Sequence, residues 1–263
     1  MPSYVPLRLR LKRSATITAI FLIIAFTVHR FGIRSNAIEA SGKEDLTIYE
    51  LPESFIVQPA HLTPVDPTAL IELGTESIDA AHKKGFLHTG AVLFVTDSSG
   101  KILVMKRSAS VVTCPNTWSI VGEHSIAGED SNYTPIRALK EELGLSISEH
   151  YAQIQNMTDF PLYYIRHYGA RNGNRIDRQL TYMWLVTLPQ RHEEISWTLD
   201  HEVADSKWIT LRSFDEWLRE DEKNDNTINL SSKEDDGPPN GDFCHRTIRS
   251  LLKLGIERLK QLL

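Results

Sequence analysis

Cysteine is scarce in this chain of 263 residues, which has only Cys114 and Cys244. Two cysteines do not make a disulfide framework and do not decide a redox compartment. Long apolar runs are also missing. The longest, Ala15–Val28, has 14 residues. That excludes a multi-span membrane protein, because one spanning helix needs about 20 apolar residues. Acidic residues are absent before Glu39, whereas Arg8, Arg10, Lys12, Arg13, Arg30 and Arg34 are all basic. The remaining residues hold 23 basic against 34 acidic side chains. A body that acidic is a poor general nucleic-acid binder, since phosphate neutralisation needs clustered Lys and Arg. What is present is ordinary: 41 % hydrophobic and 24 % charged residues rule out collagen, a long coiled coil and a wholly disordered chain.

Residues 1–38 form a basic segment around a hydrophobic helix, which extends over 15–33 if the polar His29 and Arg30 are included. The basic flank and apolar core predict a single-pass signal anchor with a cytosolic N-terminus, placing the bulk of the chain in an endomembrane lumen. A mitochondrial targeting segment is the alternative, from the arginines and the missing acids. A cleaved secretory signal is a third reading, with Ser35-Asn36-Ala37 as the nearest small-x-small site. Asn132, Asn156 and Asn229 each open an Asn-x-Ser/Thr sequon, which supports a lumenal site only faintly.

Residues 39–67, with Pro52, Pro59, Pro64 and Pro67, read as a linker. Thr68–Lys84 has helical character, with Leu70, Ile71, Leu73, Ile78 and Ala81 roughly on one side. Strands are expected at 89–96 and 102–105, joined by the turn Asp97-Ser98-Ser99-Gly100, and at 118–121, 180–188 and 207–211. Residues 220–242 carry eight acids and Gly237-Pro238-Pro239, which reads as a flexible acidic insert. Residues 243–263 read as an amphipathic helix with Ile248, Leu251, Leu252, Ile256, Leu259 and Leu262 on one face. The main domain thus spans 68–219.

The chemistry concentrates in residues 122–145. Thr134 is a good helix N-cap, Pro135 suits the first turn, and Gly144 can end a helix in the left-handed conformation. The helix between them carries the adjacent acids Glu141 and Glu142. Their repulsion is offset if a divalent cation lies between them, and hard oxygen ligands suit Mg²⁺. The plainer reading is that Lys140, Glu141 and Glu142 are a solvated helix face, with Arg137 and Glu141 an i,i+4 pair.

This segment resembles the Nudix box, Gly-x5-Glu-x7-Arg-Glu-U-x-Glu-Glu-x-Gly-U, where U is a bulky aliphatic. Seven of nine defined positions match: Glu129, Arg137, Leu139, Glu141, Glu142, Gly144 and Leu145. Lys106, Arg107, Pro115 and Trp118 precede it, and Glu202 to Trp208 follows, so the resemblance covers about residues 86–211. It implies an α/β/α sandwich around a mixed sheet. It implies Mg²⁺ or Mn²⁺ on Glu141, Glu142 and the Gly122 carbonyl, with Glu142, Glu202 and Arg137 as catalytic residues. Glu129 and Gly144 are then structural positions of the box. The implied reaction is metal-assisted attack of water on a nucleoside diphosphate-X or other organic diphosphate.

Arg107, Trp118, His124 and Arg166 are the expected substrate contacts. Arg166 belongs to a basic-aromatic stretch with Tyr163, Tyr164, Tyr168, Arg171, Arg175 and Arg178. Two departures stand out: Glu123 replaces the box glycine and Ala138 replaces a box glutamate that serves many members as ligand or base. Ala138 motivates an alternative, a degenerate domain that binds a phosphorylated ligand or a protein without turnover. The stretch from Lys106 to Gly128 also resembles isopentenyl-diphosphate isomerases. Those use a cysteine just before the loop histidine, and none stands in Ile120–Glu123. Cys114, before Pro115, reads as an inert thiol.

Overall fold

The computed structural model describes residues 45–53, 55, 62–145, 152–168, 174–223, 243 and 246–262. The hydrophobic segment 15–33 and most of the acidic insert lie outside these residues. Among the described residues, no helix is long and apolar enough to cross a membrane.

The strands are β1 (Asp45–Glu50), β2 (Thr63–Pro64), β3 (Ile71–Ser77), β4 (Leu87–Thr96), β5 (Ile102–Arg107), β6 (Trp118–Ser119), β7 (Val121–His124), β8 (Gln153–Asn156), β9 (Leu162–His167), β10 (Ile176–Thr187) and β11 (Val203–Ile209). The helices are α1 (Ile78–Lys84), α2 (Thr134–Leu143), α3 (Leu211–Lys223) and α4 (Arg246–Leu262). The sheet runs β11-β5-β4-β10-β9-β2, with β7 and β1 also on β4, and β3 on β1. β4 and β10 pair in parallel while their other partners are antiparallel, so the sheet is mixed.

Strand residues alternate between two cores, as the period of two requires. Val92 and Phe94 of β4, Ile102 and Val104 of β5, and Met183 and Leu185 of β10 face one core. There they meet Phe214 and Trp217 of α3 and Leu251, Leu252, Ile256 and Leu259 of α4. Leu93 and Val95, Leu103 and Met105, and Trp184 and Val186 face the other, with Ala138, Leu139 and Leu143 of α2. Both faces are covered, which explains the nearly continuous apolar strands. The expected sandwich around a mixed sheet is present.

Several expectations on single elements need correction. Residues 71–77 form β3, and only 78–84 are α-helical. Gly74, at φ +126°, cannot sit in a right-handed helix, and β3 finds backbone partners along β1. Strand β1 itself lies inside the stretch read as linker. The third strand is divided into β6 and β7. Thr134 is the first residue of α2 rather than its cap, and the Tyr133 cap position has no side-chain bond. Gly144 does end α2 in the left-handed conformation. In α4, Leu262 is exposed rather than packed.

Candidate functional site

The strand register builds the site. On β10, Gln179 stands beside His88 of the parallel β4, and Asp177 lies two residues earlier on the same face. On β9, Tyr164 and Arg166 oppose Gln179 and Asp177. On β7, His124 opposes Gly90, two residues after His88. The sheet face that carries Val92, Thr181 and Met183 further along is therefore polar at this end. His82 arrives from α1.

His82, His88, His124 and Asp177 converge, with one ligand atom of each within 4.8 Å of the others. The three imidazole rings form a triangle with centroids 5.1, 5.2 and 5.2 Å apart. His88 Nδ1 lies 3.0 Å from the Phe86 carbonyl, which can only accept, so Nδ1 carries a proton there. His88 Nε2 is 3.5 Å from Asp177 Oδ1, and His82 Nε2 is 3.8 Å from it. His82 Nε2, His88 Nε2 and Asp177 Oδ1 are all buried with no hydrogen-bond partner.

Electrostatics separates the members. Burial, aided by His88, pushes His82 down to about 4 against the attraction of Asp177. Burial and the other two histidines push His124 down to about 3. For Asp177 burial acts upward, yet the histidines hold it well below the usual carboxylate range. Burial thus disfavours the charged form of His82 and His124 beside a carboxylate kept ionised, and metal binding needs deprotonated ligands of this kind. Donors about 2.1 Å from one ion lie at most about 4.2 Å apart, so the 3.5 and 3.8 Å separations suit a shared ion. The residues present therefore fit a divalent cation. Three imidazoles and one carboxylate favour a transition metal over Mg²⁺.

The box lies alongside. Arg137 donates from Nε to Glu129 Oε1 at 2.8 Å and from Nη1 to Glu141 Oε2 at 2.8 Å. Its Nη2 donates to the backbone carbonyl of His124, and Glu123 stands 3.5 Å from Nη1. Burial acts against the arginine's charge, but the bonds from Glu129 and the field of Glu123 outweigh it and raise its pKa. Glu129 also accepts from Thr134 Oγ1 at 2.8 Å. The Arg137–Glu129 pair expected from the box is thus formed. Glu141 takes the plainer role, as the i,i+4 partner of Arg137. Ala138 is fully buried in the core under α2, so its replacement of a box glutamate removes a carboxylate without leaving a gap.

Glu142 behaves differently from Glu141. Burial first, then Glu202 and Asp200, push its pKa up to about 7. It shares a cavity of about 160 Å³ with His82, His124, Asp177, Glu123, Gly122 and Glu202. Lys106, Arg107 and Arg166 line the same cavity, and so do Val92, Met105, Ile120, Leu251 and Leu252. Arg166 stacks on Tyr168, 4.1 Å from the ring centroid, and touches the Cys114 sulfur.

The structure thus brings together Glu142, Glu202, Gly122, Arg107, His124 and Arg166 from the expected set. Trp118 is instead a core residue, edge-on to Trp217 at 6.1 Å. Of the basic-aromatic stretch, Tyr163 packs in a core and holds Arg178, and Arg175 bonds Asp79. Arg171 lies outside the described residues. Cys114 is disulfide-bonded and presents no thiol. Sequence reasoning did not single out His82, His88 or Asp177; the signal was polar residues at alternate positions in otherwise apolar strands.

The family model for the NUDIX domain matches residues 86–229. The isopentenyl-diphosphate Delta-isomerase of Serratia proteamaculans is 25 % identical over 155 residues, covering 56 % of this chain and 80 % of that one. Isopentenyl-diphosphate Delta-isomerase 1 of Aromatoleum aromaticum is 33 % identical over 76 residues, covering 28 % and 43 %. Among solved structures, the E. coli dihydroneopterin triphosphate pyrophosphohydrolase aligns with a TM-score of 0.38 at 15 % identity, covering 48 % of this chain and 82 % of that one. With the box and the sandwich in place, the chain belongs to the NUDIX domain family.

Proposed function

We propose that this protein is a divalent-metal-dependent hydrolase of an organic diphosphate. One observation carries the reading. A single cavity joins His82, His124 and Asp177 of the cluster, the half-buried Glu142 and three basic side chains. A cation bound at His82, His88, His124 and Asp177 supplies positive charge for phosphoryl oxygens and acidifies water. A second, harder cation such as Mg²⁺ or Mn²⁺ belongs with Glu142, Glu202 and the Gly122 carbonyl, with Glu141 shared with Arg137.

Lys106, Arg107 and Arg166 bind the diphosphate oxygens. Glu142 accepts a proton from the attacking water as the new P–O bond forms. The bridging P–O bond breaks, and the leaving phosphate carries off its electron pair. The apolar side of the cavity, lined by Val92, Met105, Ile120, Leu251 and Leu252, suits an apolar X group. The test is release of phosphate from isopentenyl diphosphate, or of phosphomonoesters from a panel of nucleoside diphosphate-X compounds, by the full chain with Mg²⁺ and Mn²⁺. Glu142→Gln is expected to cut the rate at least about 100-fold, the lower range for general base catalysis. A Glu142→Gln rate equal to wild type defeats the reading.

Isomerisation of the same substrate class is the second reading, favoured by the curated relatives and the His/Asp cluster. Gly122 and Glu123 stand before His124, where that chemistry uses a cysteine. Proton NMR in D₂O separates the two, because isomerisation exchanges substrate carbon-bound hydrogen without releasing phosphate.

A further inference from the structure

The carboxylate of Asp177 has two oxygens in different surroundings. Oδ1 faces His82 and His88 and has no hydrogen bond. Oδ2 accepts the Tyr164 hydroxyl at 3.0 Å. That hydroxyl also contacts Gln179 Oε1, which in turn accepts Thr181 Oγ1 at 2.9 Å. Tyr164, Asp177, Gln179 and Thr181 are all buried, which strengthens these bonds. β9 and β10 hold the network in register, since Tyr164 opposes Gln179. An unrestrained aspartate can rotate about its side-chain torsions and offer either oxygen. Here the tyrosine occupies one and leaves the other for the histidines.

We propose that Tyr164 is a positioning residue for the His/Asp cluster, locking Asp177 so that Oδ1 points at the position shared by His82, His88 and His124. This rests on the reading of the cluster as a cation site. Partners that orient a ligand in this way typically contribute 10- to 100-fold in metal affinity. Tyr164 acts on the cation site through Asp177, from the wall of the cavity that it lines.

The experiment titrates the full-length, metal-stripped chain with Co²⁺, reading the visible absorption of the bound ion and the dissociation constant by equilibrium dialysis. Tyr164→Phe keeps the ring and removes the hydroxyl. It is expected to weaken Co²⁺ binding about 10- to 100-fold and to alter the spectrum. In an Asp177→Asn background the same change should have no further effect, because the residue through which it acts is already altered. A purely structural tyrosine would give additive losses instead. Gln179→Met removes the competing acceptor, keeps the hydroxyl for Asp177, and is expected to leave Co²⁺ affinity equal or higher. Wild-type affinity in Tyr164→Phe, beside a loss in Asp177→Asn, overturns the positioning role alone. Weakened binding in Gln179→Met also overturns it, even if Tyr164→Phe fails to fold. A wild-type chain that binds no Co²⁺ overturns the cluster as a cation site, and the positioning role with it.

Discussion

Arg137 organises more of the site than any carboxylate around it. It neutralises Glu129 and Glu141 and holds the carbonyl of His124, so it ties the box to the His/Asp cluster. Removing one partner of a buried charge network leaves the others uncompensated. Arg137→Ala should therefore cost about 3–5 kcal/mol, read as a lower denaturant midpoint at unchanged slope. Asp97 makes a second prediction. Burial acts to raise its pKa, but bonds from Ser99, His192 and Lys101 outweigh it and bring it down to about 2. A depressed carboxylate stabilises the fold above its unfolded value near 3.9, and that contribution is lost as pH falls through about 2. Acid titration of the melting temperature should show a decline over this window that is smaller in Asp97→Asn, which starts less stable at neutral pH. At this scale the sequence was partly legible. Glu129 and Arg137 were readable because eight residues of loop and helix bring them together. His82, His88 and Asp177 were not, because Asp177 reaches β4 only through pairing of strands whose partners, such as Gln179 and His88, are far apart in the chain.

At the scale of elements, the apolar runs of β4, β5 and β10 were legible as strands because burial on both faces leaves few polar residues to misread. The stretch 68–84 was misread because Leu70, Ile71 and Leu73 suit either period over so short a window. Its pairing partner, β1, was hidden in a segment that reads as linker. Helix α4 was legible from its apolar stripe, but its close crossing over the sheet was not. A Cβ at Gly255 would stand 1.9 Å from Phe94 Cζ, so the helix backbone lies directly on that ring. Gly255→Ala gains helix propensity yet should destabilise the protein by about 1–3 kcal/mol through overpacking, measured by chemical denaturation. The paired change Gly255→Ala with Phe94→Leu should recover part of that loss, since the two positions are in contact.

For the whole molecule, the acidic excess outside the first 38 residues acquires a local meaning. Glu123, Glu142, Glu202 and Asp177 share one cavity with Lys106, Arg107 and Arg166, and the anion that enters it needs a cation to meet those carboxylates. The composition announced acidity, and the box announced a family and a diphosphate chemistry. Neither announced the cluster of imidazoles, because His82, His88 and Asp177 come from α1, β4 and β10, outside the box. Binding to the folded state alone should raise stability by about 2.7 kcal/mol at a metal concentration 100 times the dissociation constant. The melting temperature should accordingly rise with Mn²⁺ or Co²⁺ and return on chelation, and His124→Ala should abolish most of the rise. The most direct measurement is anomalous diffraction from crystals of the protein soaked in Mn²⁺. A peak is expected among His82 Nε2, His88 Nε2, the His124 ring and Asp177 Oδ1, lost in Asp177→Asn. Anomalous density confined to Glu141 and Glu142, with none among the three histidines, would contradict this expectation.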